Sequence, residues 1–222
     1  MSDEKIIDSW KKNVVPWIDA IQKHQIESRV DVTNHAIIDT INKLTPSSVI
    51  DIGCGEGWLV RELCKTGIDT LGVDAIADLI DYARKSGEGR FKNLTYEQLA
   101  NNELEEHFDL AVCNFSLLGN ESVSRLFQCM ANILYRDGFF VIQTLHPVTA
   151  CGEQEYTDGW RAGSWEGFND AFREPAPWYF RTLESWQELF LINGFELIET
   201  LEPINPQTSA AASVLFVSQR AE

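Results

Sequence analysis

The segment VIDIGCGEGWL, residues 49–59, places an acid, three glycines and a tryptophan directly after an apolar run. Gly53, Gly55 and Gly57 lie where a predicted strand ends and a predicted helix begins. Backbone N–H groups of such a loop, together with the N-terminus of the helix, can face a ligand. Asp51, two residues before the first glycine, suits a ligand end that is cationic or rich in hydrogen-bond donors. The segment therefore predicts a ligand site built from backbone groups and one carboxylate.

The loop departs from the glycine pattern that binds the pyrophosphate of a dinucleotide. That pattern, G-x-G-x-x-G, ends in a small residue so that helix and strand pack closely, and this chain has Trp58 there. Asp74 ends the next predicted strand, 17 residues beyond Gly57, where an acid can accept hydrogen bonds from both hydroxyls of a ribose. The alternative is that Asp74 only caps the following helix. A ribose beside a cofactor end without phosphate points to S-adenosylmethionine (SAM).

Two segments, DIGCGEGWL and LGVDA, resemble the first two motifs of the class I SAM-dependent methyltransferases. The resemblance covers residues 48–147 and, in the order of the predicted strands, continues to the carboxyl terminus. It implies that Asp51 and the loop from Gly53 to Gly57 hold the methionine part of SAM, and that Asp74 binds the ribose. The product expected from the cofactor is S-adenosylhomocysteine (SAH).

The resemblance also implies contacts further along the chain. It places Tyr96 and Glu97, at the end of the third predicted strand, against the adenine, and Asn114 and Phe115 under the methionine at the door to the acceptor site. Arg29 could reach the SAM carboxylate or pair with a surface acid, and both alternatives stay open. The predicted cofactor-binding residues are Arg29, Asp51, Gly53, Cys54, Gly55, Gly57, Trp58, Asp74, Ala75, Tyr96, Glu97, Asn114 and Phe115. Cys54 is expected to fill space, because direct methyl transfer needs no covalent intermediate with the enzyme.

The segments after the fourth and fifth predicted strands indicate the class of methyl acceptor. Methyltransferases of nucleobase and amide nitrogens carry Pro-Pro-Tyr or Pro-Pro-Phe after the fourth strand, where this chain has NFSL. The segments TLHP and WYFRTLESW are similar to the branch that methylates small molecules, broadly like the quinone-type O- and C-methyltransferases. A small-molecule acceptor with an oxygen, nitrogen or carbon nucleophile is therefore predicted.

Residues 146–181 follow the fifth predicted strand and form a candidate lid over the cofactor. They contain eight aromatic residues in a polar context interrupted by glycine and proline. Aromatic faces can bind a flat substrate and exclude water around the sulfonium. The candidate substrate residues are Trp160, Trp165, Trp178, Tyr179 and Arg181, with Tyr156 and Asp158 as weaker candidates. A small core at the sheet edge is the expected role of Phe168, Phe172 and Phe180.

His146 is the one histidine that follows the carboxyl end of a predicted sheet strand. If the acceptor is a hydroxyl or a phenol, a base with a pKa near 7 would help to remove its proton. The alternative is that His146 only fixes the lid through a hydrogen bond. His146 is therefore a candidate catalytic base.

Composition limits the partners. The chain has 222 residues, 18 Lys and Arg against 34 Asp and Glu, and a formal net charge of −16, which opposes binding to a nucleic-acid backbone. The five cysteines form no Cys-x-x-Cys pair, so no metal site is predicted, and they suggest buried, reduced thiols. With no signal peptide or membrane span expected, the prediction is a soluble, cytoplasmic protein that makes no membrane contact. The oligomeric state stays open.

The elements that position these residues alternate between strand and helix from residue 48 onward. This alternation predicts an α/β fold, a doubly wound, mostly parallel seven-stranded sheet whose last strand is antiparallel. One methyltransferase domain, residues 1–222, is expected to comprise a helical cap (1–46), a SAM-binding half (47–145), the lid (146–181) and a final helix and strands (182–222). The first helix is expected to be interrupted at Pro16, and Thr33 is a possible N-cap.

Two other functions share parts of this pattern. A nicotinamide-dependent oxidoreductase would have the same fold and an acid after the second strand, although Trp58 and Asp51 count against it. A non-catalytic SAM-binding protein would keep the glycine loop and lack a pocket for the acceptor. A SAM-dependent methyltransferase acting on a small molecule is the favoured prediction.

Overall fold

The computed structural model describes residues 1–221 and confirms the predicted seven-stranded sheet, in the order β3-β2-β1-β4-β5-β9-β8. Strands β1 to β5 are parallel, and β9 is antiparallel to both of its neighbours. Strands β6 and β7 form a separate hairpin. The strands are β1 Ser48–Ile52, β2 Asp69–Asp74, β3 Arg90–Asn93, β4 Phe108–Asn114, β5 Leu134–Thr144, β6 Gly159–Arg161, β7 Trp178–Phe180, β8 Phe195–Leu201 and β9 Val214–Arg220.

Helices cover both faces of the sheet. They are α1 Asp3–Lys12, α2 Val14–Gln22, α3 Asn34–Leu44, α4 Trp58–Cys64, α5 Ala77–Lys85, α6 Tyr96–Ala100, α7 Glu121–Ile133, α8 Pro147–Cys151 and α9 Leu183–Ile192, and a single π-helical turn, Arg29–Thr33, precedes α3. One apolar layer joins α3 and α4 to β1, β4, β5 and β9. The other joins α7 and α9 to the opposite face.

The first helical region is interrupted at Asn13, so the predicted interruption at Pro16 is wrong by three residues. The buried Asn13 side chain donates to the backbone oxygens of Ser9 and Arg173, and it accepts from the Arg173 N–H. Pro16 lies in the first turn of α2, where a backbone N–H has no helical partner, so the proline fits there. Asn13 thus ends α1 and ties it to the 146–181 segment.

The predicted N-cap at Thr33 is also wrong. Thr33 has helical backbone angles, φ −77° and ψ −27°, and its side chain makes no capping hydrogen bond. It ends the π turn, so the chain enters α3 through a wider helical turn instead of an extended residue. Its buried hydroxyl therefore faces the protein interior.

The sheet face beneath α3 changes from apolar to polar at its carboxyl edge. On β1, Val49 is followed on the same face by Asp51, and on β5, Val141 is followed by Gln143. Asn114 ends β4 in direct register with Gln143. Because side chains on alternate residues share a face, these polar groups form one row across neighbouring strands. This row is where a ligand at the carboxyl edge would meet the fold.

The five cysteines are free. Four are buried as predicted, whereas Cys64 is partly exposed. No helix among residues 1–221 combines the length and the apolar character needed to cross a membrane.

Candidate cofactor and acceptor site

The glycine loop is held against β2 and β4 in a conformation that requires glycine. Gly53 and Cys54 donate their N–H groups to the Val73 carbonyl, at 2.7 and 3.0 Å. Gly53 has φ +78°, and a Cβ placed on it would lie 2.4 Å from the Ser116 Cβ. Gly57 has φ +86° and is the N-cap residue before α4. A side chain would therefore displace either this loop or the β4 loop, as expected for backbone that approaches a ligand.

Asp74, at the end of β2, holds the glycine loop from the side. Its Oδ2 accepts from the Gly55 N–H at 2.9 Å, and its Oδ1 accepts from the Ile76 N–H at 2.8 Å, next to the start of α5. Burial raises the pKa of Asp74, and these backbone N–H groups oppose the shift. Asp74 therefore orders the chain that leads into α5, but it accepts no N–H from within that helix and is not its N-cap. Each carboxylate oxygen keeps a second lone pair, so the predicted ribose contact is compatible with these hydrogen bonds.

Asp51 is a buried carboxyl beside this loop. It is 2 % exposed, and its Oδ1 has no hydrogen-bond partner among the described residues. Burial, followed by repulsion from Asp74 and Glu56, raises its pKa to about 8, and the positive charge of Arg29 acts in the opposite direction. A donor-rich cationic group placed here would pair with the Asp51 carboxylate and lower that pKa.

Arg29 lies over the loop between two tryptophans. Its guanidinium carbon is 5.0 Å from the centroid of the Trp58 ring and 5.4 Å from that of Trp17. Burial lowers the pKa of Arg29 to about 10, opposed by the charges of Glu56 and Asp51, so it stays cationic at neutral pH. The structure thus directs Arg29 toward the predicted cofactor site rather than toward an exposed acid. Trp58, which breaks the dinucleotide pattern, supports the guanidinium here.

The chain leaves β4 through a strained residue. Phe115 has φ +56°, and its N–H donates to the Gln143 carbonyl at 2.8 Å. The neighbouring Ser116 hydroxyl donates to the Ile52 carbonyl at 2.7 Å. A left-handed conformation at a bulky residue is held only when both sides are fixed, and it is typical of functional sites. Asn114, directly before it, has a buried Oδ1 without a partner among residues 1–221.

Tyr96 and Glu97 do not end β3 as predicted. That strand ends at Asn93, and both residues lie in the first turn of α6 behind a Thr95–Gln98 capping box. The Tyr96 hydroxyl donates to the Ser116 carbonyl at 3.1 Å and lies 3.1 Å from the Cβ position of Gly53. The Glu97 side chain is exposed. Tyr96 therefore lies beside the glycine loop, and adenine contact by either residue stays a prediction, as does contact by Ala75 next to Asp74.

The sequence interpretation missed three polar residues beside this site. Gln143, Thr33 and Ser213 are each at most 2 % exposed and carry a polar side-chain atom without a partner in the described part of the chain. Gln143 Nε2 donates to the Thr33 carbonyl at 3.1 Å. The available signal was a glutamine at the end of the apolar run FFVIQT, where strand alternation would place another apolar residue on the α3 face.

The 146–181 segment divides into two aromatic groups. Trp165 packs against Phe168 and Phe172, with centroids 5.3 and 4.7 Å away, and against Trp10 at 5.9 Å. This group is a small core that includes Trp165 and lies on the N-terminal helices, whereas the core predicted for Phe168, Phe172 and Phe180 was at the sheet edge; Phe180 packs against Trp178 in the other group. Trp10 also contacts Trp17, at 5.0 Å, and the Trp17 Nε1 lies 3.4 Å from the Cβ position of Gly55. A chain of aromatic contacts therefore connects the segment to the glycine loop.

The β6–β7 hairpin carries the second group. Trp160 and Tyr179 are paired across it, with ring centroids 5.6 Å apart, and the Tyr179 N–H donates to the Leu118 carbonyl at 2.8 Å. Trp178, Leu117 and Leu145 help to line a narrow cleft between this hairpin and the ends of β4 and β5. The hairpin thus brings three of the predicted substrate residues, Trp160, Trp178 and Tyr179, to the carboxyl edge of the sheet.

Arg181 is engaged by the loop after β4. It is 5 % exposed, and its guanidinium donates to the backbone carbonyls of Gly119 and Asn120, at 2.8 and 3.1 Å. Burial lowers the pKa of Arg181 to about 10. These contacts give Arg181 a structural role that sequence analysis did not predict. Asp158 and Tyr156 similarly accept backbone N–H groups at the start of α9, those of Thr182 and Leu183.

His146 immediately precedes α8, two residues beyond β5, as its predicted position requires. Its ring is 7 % exposed, and Nε2 lies 3.1 Å from Oε1 of Glu202, which follows β8. The contact directs the ring toward the β8 side of the sheet, away from β4. Nδ1 is buried without a partner among residues 1–221. Both the base and the lid-fixing alternatives are compatible with this arrangement.

Proteins of known sequence are similar to this chain. The ubiquinone biosynthesis O-methyltransferase of Glaesserella parasuis is 27% identical over 153 residues, which is 65% of this chain and 65% of that protein. A protein of the same name from Methylococcus capsulatus is 33% identical over 81 residues, 34% of each chain. The matched region thus spans just under two thirds of the first of these relatives and about a third of the second.

Solved structures show the same fold. A SAM-dependent methyltransferase from Mesorhizobium loti superimposes with a TM-score of 0.61 at 21% identity, covering 82% of this chain and 96% of that one. The 1,6-didemethyltoxoflavin-N1-methyltransferase of Burkholderia thailandensis, solved with SAH, gives 0.62 at 16% identity, with coverages of 94% and 88%. Residues 24–200 match the model of the family described as methyltransferase domain. This chain, with the glycine loop, the acids and the sheet order described above, therefore belongs to the methyltransferase domain family.

Proposed function

We propose that this chain transfers a methyl group from SAM to a small-molecule acceptor. The observation that carries the proposal is the arrangement of Asp51, the loop from Gly53 to Gly57, and Asp74 around one strand-end loop, with Arg29 held above it. There Asp51 matches a cationic amine, Arg29 matches a carboxylate, and Asp74 matches a ribose diol. No pyrophosphate is needed to explain the site, which disfavours a nicotinamide cofactor.

The residues present fit SAM. Asp51 has a buried oxygen without a partner among the described residues, and Arg29 is a cation held by two aromatic rings. We expect Arg29 to pair with the methionine carboxylate, Asp51 to face the ammonium and Asp74 to accept from the ribose. When bound, SAM supplies a methyl group on an electrophilic sulfonium. The protein contributes alignment of the acceptor and a dry site.

The acceptor is proposed to be small, flat and attacked at oxygen. Leucines, Trp178 and Tyr179 line the cleft at the ends of β4 and β5, which has a volume of about 20 Å³. The lid must therefore open for a planar, partly apolar molecule to bind between these surfaces. The two sequence relatives described above are named O-methyltransferases, which favours an oxygen nucleophile, although the structural neighbour from Burkholderia thailandensis is named an N1-methyltransferase. The net charge of −16 disfavours a nucleic-acid acceptor. In this proposal residues 146–181 are the lid.

Calorimetric titration with SAM, SAH and NADH in parallel tests the proposal. We expect binding of SAM and SAH in the micromolar range, corresponding to about −8 kcal/mol, and none of NADH. Methyl transfer to phenols, quinol precursors and small acids would then be screened with labelled SAM. Binding of NADH alone would favour the oxidoreductase. Binding of SAM without transfer to any acceptor would favour a non-catalytic SAM-binding protein.

A further inference from the structure

A row of buried polar atoms extends from the predicted cofactor site toward β9. Three of them lie on the sheet face beneath α3, one lies directly before β9 and one lies on the π turn; they are Asp51 Oδ1, Asn114 Oδ1, Gln143 Oε1, Ser213 Oγ and Thr33 Oγ1. None has a partner in the described part of the chain. Leaving one such group unpaired costs about 1–3 kcal/mol, so a row of five indicates a binding site.

Gln143 is held so that its amide oxygen is available. Its Nε2 donates to the Thr33 carbonyl at 3.1 Å, which orients the amide, and the residue is 1 % exposed. Across the β4–β5 ladder it is paired with Asn114, and its own carbonyl accepts the Phe115 N–H. Gln143 is therefore one strand spacing, about 4.8 Å, from the residues predicted at the door to the acceptor site.

Ser213 extends the row on the far side of Gln143. Leu215 is the β9 partner of Gln143, and Ser213 precedes Leu215 by two residues, so strand alternation directs both toward the α3 face. Ser213 is fully buried, and Thr33 is 2 % exposed. Thr33, Gln143 and Ser213 are thus buried polar residues of one region, in which Gln143 contacts Thr33 through its Nε2.

We propose that Gln143, with the hydroxyls of Thr33 and Ser213, binds a neutral hydroxyl group of the methyl acceptor. The inference rests on the proposed methyltransferase activity and adds the chemical group that the site recognises. A hydroxyl donates one hydrogen bond and accepts two, so it can donate to Gln143 Oε1 and accept from Thr33 or Ser213.

Charged groups match this row less well. A carboxylate would place its oxygens against the amide oxygens of Gln143 and Asn114, acceptor facing acceptor. An ammonium would offer donors only and would leave the hydroxyl hydrogens of Thr33 and Ser213 unpaired. Because the row is covered by the π turn, the turn must shift for the acceptor to reach it. Arg29 lies on the same turn, so acceptor binding would shift a residue of the predicted cofactor site.

The test uses protein loaded with SAH and titrated calorimetrically with three probes, catechol, phenol and anisole. Anisole keeps the ring and an oxygen acceptor but lacks the hydroxyl donor. We expect catechol and phenol to bind about tenfold more tightly than anisole. The substitutions Gln143→Met and Thr33→Val, which keep side-chain size, should each weaken catechol binding by about tenfold, with SAH affinity changed less than twofold.

Ser218→Ala is the matched control, because Ser218 is a buried β9 hydroxyl whose partner is the Phe140 carbonyl at 2.8 Å. It should leave catechol affinity unchanged. Three results would overturn the inference: equal binding of catechol and anisole, no binding of any probe to the SAH complex, or variants that are more stable yet bind catechol like wild type. The last result would indicate a structural water in the row. Wild-type protein that binds no SAH would instead refute the proposed function.

Discussion

The two halves of the carboxyl edge are built differently. At the ends of β1 and β2, the predicted cofactor groups lie within short loops of adjacent strands, and the Asp74 carboxylate and the Gly55 N–H bind each other directly. At the ends of β5 and β9, the polar groups come from Thr33, Gln143, His146 and Ser213, spread over most of the chain. The predicted cofactor half is thus built from neighbouring strand ends and loops, whereas the proposed acceptor half is assembled by tertiary packing.

The largest effect on the cofactor half is expected from Gly53→Ala. A Cβ would lie 2.4 Å from the Ser116 Cβ, so either the loop or the β4 end must move. We expect SAM affinity to fall by at least about a hundredfold, since several loop contacts would be lost together, and stability to fall by about 2–3 kcal/mol. Calorimetry and urea unfolding would measure the two changes.

Gly67→Ala provides the control for backbone strain. Gly67 has φ +84°, similar to Gly53, and a Cβ there would meet no heavy atom within 4 Å. It should lose about 1 kcal/mol of stability and leave SAM affinity unchanged. Equal losses of affinity in the two variants would show that the Gly53 contact with the β4 loop has no special role.

The second prediction concerns pH. Asp51 has a pKa of about 8 in the ligand-free protein, where burial and the nearby Asp74 and Glu56 favour its protonated form and Arg29 opposes them. A cationic ligand favours the carboxylate, so SAM binding at pH 7 should release a proton. Affinity should fall as pH is lowered, by about tenfold per unit below 8. Calorimetry in buffers of different ionisation enthalpy would count the released proton.

Asp51→Asn removes the titrating group and should flatten this pH profile. The variant keeps the size of the side chain and leaves Asp74, Glu56 and Arg29 in place. An unchanged profile in Asp51→Asn would assign the pH dependence to another group and remove Asp51 from the ammonium site.

The third prediction separates the ribose role of Asp74 from its structural role. Asp74→Ala should weaken SAM binding by about tenfold or more, because one charge-assisted hydrogen bond is typically worth about 1.5–3 kcal/mol. Asp69→Ala, at the opposite end of the same strand, is the matched control and removes only an exposed pair with Arg90. Isothermal titration measures both. If Asp74→Ala binds SAM with unchanged affinity, Asp74 has only a structural role, through its hydrogen bonds to the N–H groups of Gly55 and Ile76.

Sequence patterns predicted the fold because it rests on local signals, and the cofactor half, which rests on similar signals, stays a prediction. Strand and helix periodicity predicted the sheet, and the structure places Asp51, Asp74 and the glycine loop at the carboxyl ends of β1 and β2, where the sequence located them. The patterns failed at Thr33 and Pro16, where a π turn and the Asn13 contacts with residue 173 override local signals. They also did not predict the hydrogen bonds of Arg181 to the β4 loop, since no local feature of the sequence indicates them, and the substrate role of Arg181 stays a prediction.

The smallest effect on SAM affinity is expected from His146→Ala, and it tests whether the two halves are separable. His146 contacts Glu202 rather than the glycine loop, so SAM affinity should change less than about twofold. If Nε2 donates to Glu202, Nδ1 is free to accept a proton from the acceptor, and turnover should fall by about a hundredfold or more. His107→Ala, an exposed histidine stacked on Tyr135, is the control. The pH profile of turnover decides between the alternatives: loss of its acidic limb in His146→Ala supports the base, whereas a uniform decrease at every pH leaves His146 as a residue that fixes α8 to the loop after β8.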